Sequence, residues 1–313
     1  MNKKTSLTLL VLLLSGMLNN IMAQGLEEQA QSAAKTLQQE VVVTVDSTSN
    51  WKLSGISGIN ASQTSLVNWS AGGENTIAGN FYFNTSLDYA KDKWAWDNDL
   101  MLDYGLIYSD ENDWRKSSDK ISFTSKLGYQ INTKWFYSLL VDYNSQFAKG
   151  YNYPNTNTYL SNFMAPGYSN VAVGINYKPT ADYSLFLSPA TVRFLFVLDD
   201  SLYAAGAYGI DPGKNVKIEA GALFKGSMKK TIMKNVDLIS KLDMFTPYTE
   251  DFGNIDVNWE MMFSFKINEI LSATLNTTVR YYDREHYINS RGENKGPKVQ
   301  FREMLGLGVA YKF

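Results

Sequence analysis

The chain has 313 residues, of which 44% are hydrophobic and 14% aromatic, and it carries no cysteine and a formal net charge of -2. The lack of cysteine excludes a lipid-modified N-terminal cysteine, a disulfide framework and thiolate metal sites. The near-neutral charge gives no global attraction to nucleic acid, so we predict no nucleic-acid partner, and no motif predicts a cofactor.

The N-terminus has the pattern of a secretory signal. Lys3 and Lys4 precede an apolar run at 7–14, and Ala23 is a small residue at the junction with Gln24. The run is shorter than the roughly 20 residues of a membrane-spanning helix, which favours a cleaved signal over an anchor. We therefore predict a signal peptide at 1–23. Residues 24–50, a short helix and then a linker, are predicted to form a periplasmic segment.

From residue 51 to 313 the apolar residues alternate with polar ones. A strand has a side-chain period of two, so each face of such a segment has one character. In one segment, Ile77, Phe81 and Leu87 share a face opposite polar residues. The alternation predicts twelve strands, at 51–63, 74–90, 94–109, 115–132, 134–147, 167–178, 182–198, 213–228, 233–246, 254–266, 271–284 and 297–313.

The placement of charge distinguishes a membrane barrel from a soluble sandwich. Asp97, Asp99 and Asp103 share one strand face, which would be costly in a dry core but suits a wet lumen. The apolar faces carry more bulky aromatic side chains than the interior of one barrel could hold. Few charged residues lie on these faces. Lipid would enforce this exclusion, because a basic side chain at the bilayer midplane costs about 2–4 kcal/mol. The predicted fold is an all-β transmembrane antiparallel barrel in the outer membrane of a Gram-negative cell, with lipid outside.

The connections indicate the orientation. Single-chain barrels of this class have an even strand number, short periplasmic turns and longer extracellular loops. The odd-numbered connections are the longer ones, so both termini are predicted to be periplasmic. An aromatic girdle is expected at that side, formed by Tyr89, Trp94, Trp135, Tyr177, Tyr183 and Tyr311.

One strand changes parity at Ser188-Pro189-Ala190. Proline cannot donate to a β-ladder and is tolerated at bulges, and one extra residue reverses the faces that follow it. We predict a β-bulge close to Pro189, which turns Arg193 into the lumen.

The C-terminal run alternates to its last residue. Gly308, Tyr311 and Phe313 resemble the C-terminal recognition strand of bacterial outer-membrane barrels. This resemblance implies insertion by the barrel assembly machinery.

The predicted lumen carries charges of both signs. One interpretation is a charged constriction that selects solutes, and the other is an ion-pair network that fills a narrow barrel. Twelve strands enclose an intermediate space, so the two interpretations stay open. The lumen-lining candidates are Asp97, Asp99, Asp103, Lys120, Lys126, Arg193, Lys217, Glu219, Asp237, Lys241, Glu260, Arg280 and Arg302.

The chain has one histidine, His286, near Asn289 and Ser290. Outer-membrane phospholipases use a Ser-His-Asn arrangement, but catalysis needs these groups held rigidly within hydrogen-bond reach. Neighbours in one loop do not supply that geometry. We predict a loop histidine and no enzyme.

The first loop contains Asn68-Trp69-Ser70-Ala71-Gly72-Gly73. With Trp51 and Gln63, this Asn-Trp-Ser-x-Gly-Gly core resembles a Bacteroidetes outer-membrane β-barrel family catalogued as a domain of unknown function, over about residues 51–313. The resemblance supports the location and fold and implies no substrate. Two functions follow as hypotheses: a narrow pore for small polar solutes, or a non-conducting accessory or scaffold subunit with outer-membrane protein partners.

Overall fold

The computed structural model describes residues 49–66, 74–111, 113–151, 153, 155–248, 253–268, 271–283, 286–288 and 294–313. Within these residues, twelve strands form one closed barrel in which consecutive strands pair antiparallel and the last pairs with the first. The barrel strands are β1 (Trp51–Thr64), β2 (Thr76–Lys91), β3 (Trp94–Ser109), β4 (Asp113–Gln130), β5 (Trp135–Ser145), β6 (Gly167–Tyr177), β7 (Tyr183–Phe196), β8 (Val216–Met233), β9 (Val236–Pro247), β10 (Asp256–Lys266), β11 (Leu271–Tyr281) and β12 (Gln300–Lys312).

The longer connections carry small elements of their own. One short hairpin pairs Gly150–Tyr151 with Tyr159–Ser161, and another pairs His286–Ile288 with Asn294–Pro297. The helix α1 spans Asp200–Ala204 and is followed by a 3₁₀ turn. Among the described residues, no helix is long and apolar enough to cross a membrane.

The predicted all-β barrel is confirmed, and most strand bounds agree within a few residues. One turn is predicted wrongly. Lys229–Ile232 was expected to be a turn, but β8 continues to Met233 and the turn falls at 234–235. Asn235 adopts a left-handed conformation (φ 65°), which asparagine tolerates, so a tight turn suffices and Lys229 stays in the strand.

The two faces of the barrel differ as a membrane protein requires. Outward apolar side chains are widely exposed, as in Tyr137 (62%), Val173 (58%) and Ile218 (63%). Buried polar residues such as Asp142, Asn170 and Glu219 lie on the opposite, lumen parity. An apolar exterior around a polar interior is the arrangement of a transmembrane β-barrel.

The bulge predicted near Pro189 is confirmed. Thr191 pairs with Gly221 and Ser188 with Leu223, so two residues of β7 oppose one residue of β8. The register of β7 with β6 shifts at the same place. The side chain of Arg193 consequently reaches the lumen, where it contacts Asp256.

The barrel closes between its first and last strands. Six register pairs join β1 to β12, from Ile56–Lys312 to Ala61–Leu307. Gly55 and Phe313 add two backbone hydrogen bonds of 2.7 and 3.0 Å. Gly308 allows the closest approach, because a Cβ there would lie 1.9 Å from the Ile59 carbonyl oxygen.

Several predicted features fall outside the described residues. These are the signal peptide at 1–23, the segment at 24–48, and the loop residues Asn68, Trp69, Gly72 and Gly73.

Candidate functional site: the charged lumen

Among the described residues, a larger and a smaller cavity enter the barrel. The larger, of about 570 Å³, is lined by residues from the ends of strands that face the long loops, including Lys116, Arg280 and Arg302. The smaller, of about 270 Å³, is lined by residues near the short turns, including Lys229, Lys230 and Lys312. The two sets of lining residues do not overlap.

Lys120 and Glu260 form an ion pair that spans the lumen between the two cavities. Their strands, β4 and β10, lie on opposite walls of the ring. In the register of the sheet, Lys120 is the partner of Asp103 on the neighbouring strand β3. Instead the lysine reaches across the lumen, because the barrel is narrow enough for a long side chain to contact the far wall. Both residues line the larger cavity, so their pair lies at its inner end.

Asp97 anchors a second cluster near the short turns. Lys178, directly after β6, lies 2.7 Å from its carboxylate, and Lys126 lies 3.6 Å away. Lys126 also donates to Ser184 at 2.6 Å. The sequence placed Lys178 at a strand end but not among the lumen charges.

The ion-pair partner of Asp99 lies in the segment 229–232, which the sequence predicted to be a turn. It accepts a hydrogen bond from Ser86 at 2.6 Å and forms an ion pair with Lys229 of β8. The ion-pair partner of Asp99 thus comes from across the barrel and not from Lys120 or Lys126 on the neighbouring strand. The strand parity of Lys229 was the signal that sequence reasoning missed.

Lys225 joins two carboxylates in the middle of the barrel. Its Nζ lies 2.7 Å from Asp142 and 2.8 Å from Asp243. An apolar cluster of buried residues packs in the same half of the lumen, formed by Leu140, Ala172, Phe186, Leu223 and Phe245. These side chains lie on the lumen parity and narrow the passage.

Arg193 occupies the larger cavity. Its guanidinium donates to Asp256 at 2.6 Å and lies 3.5 Å from the centre of the Phe245 ring. Stacking on the ring fixes the plane of the guanidinium, which a lysine could not reproduce.

The other residues that the sequence predicted to line the lumen do not join these clusters. Asp103 accepts hydrogen bonds from Asn80 (3.0 Å) and Ser118. Lys217 lies 3.7 Å from Glu219, and Asp237 lies 2.9 Å from Lys312. Arg280 and Arg302 line the larger cavity, whereas Asp237 and Lys241 line the smaller.

Outside the barrel, Asp199 organises the loop that follows β7. Partial burial would raise the pKa of this carboxyl, but hydrogen bonds from Asn162, Tyr159 and two backbone N–H groups lower it below its ordinary value. The donors are Tyr159 at 2.9 Å, Asn162 at 2.9 Å, and the N–H groups of Ser201 and Leu202 at the start of α1.

His286 begins the short strand His286–Ile288, while Asn289 and Ser290 fall outside the described residues. Tyr311 and Phe313, stacked with centroids 5.9 Å apart, lie next to the closing strand pair. No group of three or more histidines and carboxylates among the described residues could hold a metal ion.

Residues 61–151 match the model of a family described as "Protein of unknown function (DUF3078)". This match confirms the predicted resemblance to a family catalogued as a domain of unknown function. The Bacteroidetes assignment and the role of the loop motif stay predictions. No curated protein matches the chain at a significant level.

Solved structures that match this chain include the NanC porin, with 8% identity over 82% of this chain and 98% of that chain and a TM-score of 0.35. An outer-membrane channel from Pseudomonas putida F1 has 11% identity over 84% and 94%, with a TM-score of 0.36. The translocator domain of autotransporter NalP from Neisseria meningitidis has 9% identity over 92% and 98%, with a TM-score of 0.32. Scores this low carry no conclusion about what this chain does.

Proposed function

We propose that this chain is an outer-membrane barrel whose lumen is a narrow, gated pathway for small polar solutes. The observation that carries the proposal is the cross-lumen pair of Lys120 and Glu260 at the inner end of a charged cavity of about 570 Å³. A solute that enters from the long loops meets charged groups of both signs and then this pair. Passage requires the pair to separate, so it acts as the gate.

Both termini are periplasmic in this proposal. The connections at 92–93, 131–134, 178–182, 234–235 and 267–270 are short, and the alternating connections are longer except the one at 110–112. Short turns face the periplasm in bacterial barrels. The larger cavity then opens to the outside and the smaller one to the periplasm.

Conductance in a planar lipid bilayer tests the gate. The double variant Lys120→Ser and Glu260→Ser removes both charges together, so neither member of the pair is left in the lumen without its partner. We expect larger and more frequent conductance steps than in the wild type. The matched control removes an ion pair outside the barrel, Lys214→Ser with Asp211→Ser, whose members lie 2.8 Å apart in an exposed loop. A folded double variant that gives no steps at any voltage would contradict the proposed pathway.

A second function is favoured by the filled lumen. The cluster of Leu140, Phe186, Leu223 and Phe245 packs inside the barrel, and water enters such apolar packing poorly. A barrel closed in this way suits a non-conducting accessory or scaffold subunit of a larger outer-membrane assembly. Co-purification after extraction in mild detergent tests this role. Recovery of the barrel as a lone monomer would count against it.

A further inference from the structure

Lys241 differs from the other lumen lysines. Lys120, Lys126, Lys178, Lys225 and Lys229 each form an ion pair with a carboxylate in the lumen. Lys241, on β9, lines the smaller cavity, and no ion pair or side-chain hydrogen bond joins it to any of the described residues. Lys241 is half-buried. An ammonium that is partly withdrawn from water without a partner is costly, so this position is suited to receiving an anion.

The surrounding charges do not compensate Lys241. The groups that act on it electrostatically are Asp99, Glu260, Lys229 and Lys120. With Lys241, three cations face two anions. The network extends toward the short turns to Asp88, Asp97, Lys126 and Lys178, which add two charges of each sign. The other charged side chains that line the cavity, Asp182, Asp237, Lys230 and Lys312, also add two charges of each sign, so one positive side-chain charge remains in excess over the whole group.

The wall beside Lys241 is apolar, although a barrel lumen is usually polar. Ile56, Tyr82 and Met262 form a buried cluster against which Ile239 packs. Ile56, Ile239 and Met262 line the same cavity as Lys241. Its volume of about 270 Å³ is close to the lower end of small-ligand sites, at about 300 Å³. The cavity thus combines one uncompensated cation with a small hydrocarbon surface.

We propose that this cavity binds a small monocarboxylate that carries a hydrocarbon chain. The carboxylate pairs with Lys241, and the chain contacts Ile56, Ile239 and Met262. The inference deepens the proposed function and rests on it, because it names the class of solute that the pathway takes. A cation would be repelled by the excess positive charge, and a zwitterion, whose net charge is zero, would gain less from it than a monocarboxylate. A sugar would leave the apolar wall unused.

Titration calorimetry with hexanoate tests the site, using the full-length mature protein in nanodiscs and empty nanodiscs as the blank. We expect saturable binding that weakens at least about tenfold in Lys241→Gln. Lys241→Arg keeps the charge and should keep the binding. Lys214→Gln removes an exposed loop lysine and serves as the matched control. Equal binding by the wild type and Lys241→Gln would overturn the proposal, as would no binding by the wild type.

The hydrocarbon part has its own test. Ile239→Ser should weaken hexanoate binding while leaving the weaker binding of acetate unchanged. Acetate or inorganic phosphate binding as tightly as hexanoate would overturn the assignment of a chain-bearing carboxylate. Calorimetry does not depend on conduction. If hexanoate binding requires Lys241 but the barrel never conducts, only the proposed pathway is contradicted. If the barrel conducts but does not bind hexanoate, only the proposed site is contradicted.

Discussion

The Nζ of Lys225 lies 2.7 Å from Oδ2 of Asp142, whose side chain is fully buried. The two residues stand on β8 and β5, so the pair joins strands that are not neighbours in the ring. Asp142 also accepts hydrogen bonds from the backbone and side chain of Asn170 at 3.0 and 2.8 Å. This carboxylate is therefore held by contacts from two directions, and removal of the lysine leaves it buried without its cationic partner.

We expect Lys225→Met to lower the free energy of unfolding by about 3–5 kcal/mol, the cost of breaking a buried ion pair by removing one partner. Denaturant unfolding of the barrel in lipid vesicles measures this loss. The double variant with Asp142→Asn also removes the fully buried carboxylate and leaves only the partly exposed Asp243 without its partner, so it should recover most of the stability. If the double variant is as unstable as the single one, the loss comes from packing and not from charge.

An arginine at Leu139 tests the lipid-facing exterior. Leu139 is 44% exposed in the middle of β5, on the outward parity. Leu139→Arg should destabilise the barrel in vesicles by about 2–4 kcal/mol, because the bilayer midplane does not solvate a charge. The control Thr156→Arg lies in an exposed loop and should change stability little. Equal effects at the two sites would contradict a lipid-facing surface at Leu139.

A single added carbon at Gly308 tests the barrel closure. A Cβ there would lie 1.9 Å from the Ile59 carbonyl, so the β1–β12 pairing must shift to admit it. We expect Gly308→Ala to reduce the folded fraction on insertion into vesicles, with a cost of at least about 1–3 kcal/mol, the range for overpacking. The folded fraction is read from the gel shift between unheated and heated samples.

The same substitution at Gly79 provides the control for this test. A Cβ at Gly79 would lie no closer than 3.9 Å to another heavy atom, so Gly79→Ala should fold like the wild type. If Gly308→Ala also folds like the wild type, the closing strands are not packed as closely as their register implies.

The strands and their faces could be predicted because they depend on a local period of two residues. The parity switch at Pro189 was enough to place the bulge and to turn Arg193 inward. The pairing of the charges could not be predicted in the same way. Lys120 contacts Glu260 across the lumen and not its neighbour Asp103, because the width of the closed barrel decides which side chains meet.

The apolar part of the lumen was also missed, although the sequence carries a signal for it. Leu140 and Phe186 each stand in the middle of three consecutive apolar residues, at 139–141 and 185–187. Such a run puts an apolar side chain on both faces of the strand. The alternation rule assigned these residues to a polar face, whereas the structure packs them against each other inside the barrel.

The loop that Asp199 organises should loosen in acid. Hydrogen bonds lower the pKa of this carboxyl below its ordinary value of about 3.9. Because this pKa is lowered, the charge of Asp199 stabilises the loop fully above about pH 4. This stabilisation is lost as the pH falls from there through the pKa of the folded state. Protonation weakens the contacts to Tyr159, Asn162 and the start of α1 together.

Hydrogen exchange in the peptides that cover 155–205, corrected for intrinsic rates, should therefore be faster at pH 3 than at pH 7. Asp199→Ala should exchange fast at both values, and the control Asp200→Ala should keep the pH dependence. Protection of this loop that does not change with pH in the wild type would contradict the role of the Asp199 charge.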